Sequence, residues 1–137
     1  MTRHDDEGSA VLEVVLLTPV LILILAAVIG GARVTLAHQR VDAAAAQAAR
    51  AAATATSPSA AAALARSASR SAASNGGLDC TSMTINVDVS TFHPGGNVTV
   101  RVSCAADLGA GVPGLSGLRT ISGSRSEVID TYARMTG

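Results

Sequence analysis

Hydrophobic and polar positions divide this chain into three regimes. Residues 10–32 form an almost unbroken apolar run, residues 33–75 are rich in alanine with polar residues spaced among it, and from Met83 apolar and polar residues alternate. The run holds no charge between Val14 and Gly31 and contains twelve large aliphatic residues. On an insertion scale these contribute about −4 to −7 kcal/mol, against about 3 kcal/mol for one acidic residue at the bilayer centre and less towards its edge. Glu13, at the front edge of the run, is therefore tolerated. As a helix, residues 10–32 span about 34 Å, enough to cross a bilayer, with Pro19 accommodated by a kink. A secretory signal peptide is a competing reading, but it starts basic and has a shorter apolar core. Here the start is MTRHDDEG, with one Arg against three acids. A plain single-span anchor, in which Glu13 is incidental, is the other.

Arg33 to Thr56 extends the same helix, because alanine has the highest helix propensity and needs little packing to stay helical. Ala26 with Gly30 and Ala27 with Gly31 are small-residue pairs that either admit a second helix at close range or reflect composition alone. A second helix starts at Pro58 behind the cap residue Ser57 and stops at Asn75-Gly76-Gly77. A flexible Ala/Ser linker is the alternative there.

The alternation of Met83, Ile85, Val87 and Val89, and of Val98, Val100 and Val102, predicts two strands around the turn sequence TFHPGG. For both apolar sets to share a face, opposed residue numbers must add to an odd total, for example Val87 with Val98. Cys104 then falls on the apolar face and Cys80 does not, so Cys80 precedes the regular strand or a bulge intervenes. Residues 105–123 read as a Gly-rich loop, and SEVIDTYARM as a third, edge strand.

Composition narrows the function class. Ten Arg balance ten Asp plus Glu with no Lys, which gives no basic footprint for nucleic acid. Phe92 and Tyr132 are the only aromatic residues, so outside the apolar run there is little bulky material for an enzyme-sized core. His4, His38 and His93 lack metal-ligand spacing, and two cysteines 24 apart are no zinc pattern. LGAGVPGLSG lacks the Lys-Ser/Thr of a phosphate loop. Asn97-Val98-Thr99 matches a glycosylation sequon by composition only, and Ser9 and Ser57 have no triad partners. No catalytic, cofactor or metal site is expected.

Gly8 followed by Ser9, with Glu13 as the fifth residue counted from Ser9 and a long apolar helix behind it, resembles the processing site of type IV prepilins. That resemblance implies cleavage after Gly8 by a membrane-embedded prepilin peptidase on the cytoplasmic side, the helix staying on the mature protein. It further implies that Glu13 of one subunit neutralises the new Ser9 amine of a neighbour. The run GSAVLEVVLLTPVLILILAAVIGGAR resembles the TadE-like family, pseudopilins or minor pilins of tight-adherence (Flp) pilus systems, at Gly8, Ser9, Glu13, Pro19 and Arg33. It departs from the family at Val14, where an aromatic often stands, and at Gly31-Ala32, where an acidic-aromatic pair often precedes the Arg. The implied partners are the membrane, the prepilin peptidase, and other pilin or pseudopilin subunits with their assembly machinery.

The expected architecture is α+β: a long N-terminal transmembrane helix running on into an Ala-rich helix, then a small antiparallel hairpin or three-stranded head. The expected divisions are a cytoplasmic leader (1–8), the membrane helix (9–32), a helical stalk with a break near Pro58 (33–77) and an exported β domain (78–137). Charge bias alone argues for the opposite topology, since one Arg precedes the run and Arg33, Arg40 and Arg50 follow it. The cysteines favour export: Cys80 and Cys104 bracket the hairpin, and a disulfide would staple a head with so small a core. Two unpaired, buried thiols are the alternative. An unprocessed, single-span extracytoplasmic binding or surface protein is the competing function.

Overall fold

The computed structural model describes residues 5–109 and 117–136, with side chains from Ala10 onwards. The elements are α1 (Asp5–Ala53), α2 (Pro58–Asn75), β1 (Ser82–Asp88), β2 (Asn97–Asp107) and β3 (Leu118–Val128). The three strands form one antiparallel sheet in the order β1-β2-β3. This is the α+β architecture the residue pattern predicts.

At 49 residues, α1 is about 73 Å long. Proline interrupts a helix because it lacks an N–H, yet α1 runs through Pro19. Immediately before it, the Thr18 hydroxyl donates to the Val14 carbonyl at 2.6 Å. From Ala37 a buried stripe appears at three- and four-residue spacing: Ala37, Val41, Ala44, Ala45, Ala48, Ala49 and Ala52. On α2 every fourth residue is buried, at Ala61, Ala65, Ser69 and Ala73. Alanine faces let two helices approach closely. Each methyl contributes only about 0.8 kcal/mol, but alanine loses no side-chain entropy on burial. The alanines of the expected stalk are thus core residues, and stalk and sheet share one core.

Both ends of α2 are capped. Ser57 accepts from the Ala60 amide at 3.3 Å, and Pro58 takes the first helical position, where its missing N–H costs nothing. At the other end Leu78 N donates to Ala73 O and Gly77 N to Ser74 O, with Gly77 at φ +66. That is the Schellman arrangement, which needs a left-handed residue just past the helix. Arg40 of α1 donates to the Gly77 carbonyl at 3.2 Å and ties this end of α2 to α1.

Val98, Val100, Val102, Cys104 and Ala106 of β2 and Ile121 of β3 are buried on the helix side of the sheet. Met83, Ile85 and Val87 of β1 pack partly buried beside them. Opposed residues add to an odd total, as expected, but Val87 faces Val100 rather than Val98. The shift leaves room for a longer turn, held by the Ser90 amide donating to the Asp88 carboxylate at 2.9 Å. That hydrogen bond holds the Asp88 carboxyl below its usual pKa.

Two expectations at the C-terminal side are corrected. Residues 105–107 continue β2 and residues 118–123 belong to β3, so the Gly-rich segment is shorter than 105–123 at both ends, and residues 110–116 lie outside the described residues. The third strand is Leu118–Val128 and not SEVIDTYARM. It starts earlier because its pairing with β2 runs from Leu118 opposite Asp107 to Val128 opposite Asn97.

Candidate functional site in the exposed half of α1

Between Val11 and Ile29 every large aliphatic side chain of α1 is half or more exposed, from 50% at Ile29 to 69% at Leu23. A core helix of a water-soluble domain hides such residues. This segment is long and apolar enough to cross a membrane and none of its apolar window is buried. Exposed apolar surface on this scale marks contact with lipid or with other protein.

Glu13 lies exposed within this surface, one turn into the apolar run. The backbone at Gly8 and Ser9 is already helical, because α1 begins at Asp5. Ser9 and Glu13 are therefore four residues apart on one helix, which sets them on the same face. Residues 1–4 of the expected leader, with His4, lie outside the described residues.

Cys80 and Cys104 are bonded, with Cα atoms 5.4 Å apart. Cys104 is fully buried on the inner face of β2, whereas Cys80 precedes β1 in the segment where Thr81 N donates to Ala105 O at 2.7 Å. The parity conflict between the two cysteines disappears because Cys80 is outside the regular strand.

Among the described residues no group of three or more His, Cys, Asp or Glu converges as a metal site would. The ring nitrogens of His38 and His93 contact backbone carbonyls of their own segments, at Val34 and Pro94.

Residue-pattern reasoning misses how the sheet is seated on α1. Gly123 of β3 lies against the α1 backbone at Asp42, and Arg125 donates to the Asp42 carboxylate at 3.1 Å. A glycine flanked by serines reads as loop, so the only signal was the wider spacing of apolar residues around Ile121.

Residues 8–50 match the family of TadE-like proteins, a stretch that covers the exposed half of α1 and most of its buried half. No curated protein and no solved structure matches the chain. From Gly8 to Arg50, then, the chain is similar to the TadE-like proteins.

Proposed function

We propose that this protein is a pseudopilin or minor pilin that takes part in assembling a tight-adherence (Flp-type IVb) pilus or a related secretion filament. The observation that carries this reading is an unburied, membrane-length apolar helix inside the TadE-like segment, with Gly8, Ser9 and Glu13 at its front edge. A prepilin peptidase cuts after Gly8, the cut leaves a cationic amine at Ser9, and the helix stays in the membrane. In the assembled filament Glu13 pairs with such an amine, which offsets the cost of holding either charge in apolar surroundings. The head is extracytoplasmic, a reading supported by the disulfide, since such bonds persist in oxidising compartments. Its role is structural, without chemistry of its own.

A second reading is an unprocessed, single-span extracytoplasmic protein. One observation favours it: the Gly8–Ser9 peptide lies within α1, so the peptidase must first unwind the first turn of the helix. Mass spectrometry of the mature N-terminus, from cells with and without the prepilin peptidase, decides between the two. A chain starting at Ser9 only in cells that hold the peptidase supports processing. An intact N-terminus in both strains rejects it.

A further inference from the structure

The β2–β3 end of the sheet lies level with the point where the apolar run of α1 stops. The reference point is Gly123 against Asp42, where a Cβ would stand 3.1 Å from the Asp42 Cα. Contacts at the two ends set the direction. Beyond β3 the chain reaches the far end of α1, where Thr136 N donates to Thr56 O at 2.8 Å. Towards the start of α1, Arg40 holds Gly77, Cys80 is bonded to Cys104, and Cys104 is paired with Ile121. Asp107 and Leu118 pair three residues further in that direction.

From Gly123 back to Leu118 is about 17 Å of strand at about 3.3 Å per residue. The same length of α1 is about eleven residues at about 1.5 Å each. Leu118 is thereby level with Gly31, the last turn of the uncharged run before Arg33, and any tilt between strand and helix raises it towards Leu36. Leu118 is 64% exposed, Arg119 beside it is exposed, and Val34 and Leu36 of α1 are exposed at the same height. An aliphatic side chain next to a guanidinium at this depth suits the boundary between acyl chains and phosphate headgroups.

We propose that the β2–β3 end of the head rests on the membrane surface, with Leu118 in the lipid interface and Arg119 among the headgroups. The inference depends on residues 10–32 spanning the bilayer. The competing use of this edge is antiparallel pairing of β3 with β3 of a second copy. The two-fold axis of that pairing is normal to the sheet, so it turns the two α1 helices in opposite directions, and one bilayer cannot take both apolar halves.

The chain has no Trp, so single reporters test the proposal in the full-length, disulfide-bonded protein in phospholipid nanodiscs. Three variants are compared: Leu118→Trp, Ile22→Trp within the span and Thr84→Trp on the open face of β1, with Arg119→Trp replacing the first if it fails to form the disulfide. The expected result is strong quenching of Leu118→Trp by brominated phospholipid and severalfold weaker quenching by aqueous iodide than at Thr84→Trp. Lipid quenching at Ile22 with free iodide access at Leu118 overturns the proposal and leaves the span intact. Shielding of Leu118→Trp from both quenchers identifies a protein cover and overturns it equally. Absence of lipid quenching at Ile22→Trp rejects the span itself.

Discussion

Gly123 of β3 lies over Asp42 of α1 so closely that an added Cβ would collide with a carboxylate oxygen of Asp42 and stand 3.1 Å from its Cα and 3.2 Å from its backbone nitrogen. The neighbouring Arg125–Asp42 ion pair is largely exposed on both sides and is worth about 0–1 kcal/mol. Steric fit at Gly123, more than the charge pair, therefore governs how the sheet seats. Gly123→Ala is expected to destabilise by about 1–3 kcal/mol, and Arg125→Ala by less. Denaturant midpoints of the full-length protein in detergent check the order, and equal shifts for the two variants would refute it.

Ser69 makes the opposite prediction. Its hydroxyl is fully buried in the α2 face and has no hydrogen-bond partner among the described residues. An unsatisfied buried hydroxyl costs about 1–3 kcal/mol, so Ser69→Ala should stabilise the head by about 1 kcal/mol, with allowance for the small space vacated. A lowered melting temperature for Ser69→Ala would refute this.

Cys80 and Cys104 close a loop of about 25 residues, which stabilises by about 3.5 kcal/mol on the chain-entropy account. That is a large share of a small domain's net stability. The Cys80→Ser, Cys104→Ser double variant should lose about that much. Alkylation of protein from intact cells, read by mass, gives an independent check. Thiols blocked until reduction fit an exported head, and two freely alkylated thiols without reductant contradict it.

Glu13→Ala is expected to leave membrane insertion unchanged and to impair co-purification with partner pilins. Removing a charge from an apolar helix can only ease insertion, so any loss must arise between subunits. Normal recovery of partner subunits with the variant would remove Glu13 from the assembly contact.

The legible parts of the fold were those in which side-chain chemistry repeats. The apolar run, the Ser57-Pro58 start of α2 and the alternation at 83–89 and 98–102 each gave the right element. The alanines were ambiguous: the same methyl group serves helix propensity and close packing, and only α2 and the sheet packed over residues 37–52 distinguish the two. β3 was half hidden because the residue at its closest approach to α1 is a glycine, which packs without adding a hydrophobic position to the pattern. The Gly8, Ser9 and Glu13 edge stood out through a resemblance. The chemistry that the resemblance implies there would involve a peptidase and neighbouring subunits, which one chain does not contain.

The disulfide also has a consequence for how damage to the head would look. The exposed turn from Ser90 to Gly95 lies between Cys80 and Cys104. A protease that nicks this turn does not release a fragment, because the piece carrying α1 and β1 stays covalently attached to the piece carrying β2 and β3. The molecule nicked once keeps its apolar helix, migrates as one species without reductant, and gains only the mass of one water. Wear at this turn is therefore invisible until the protein is reduced.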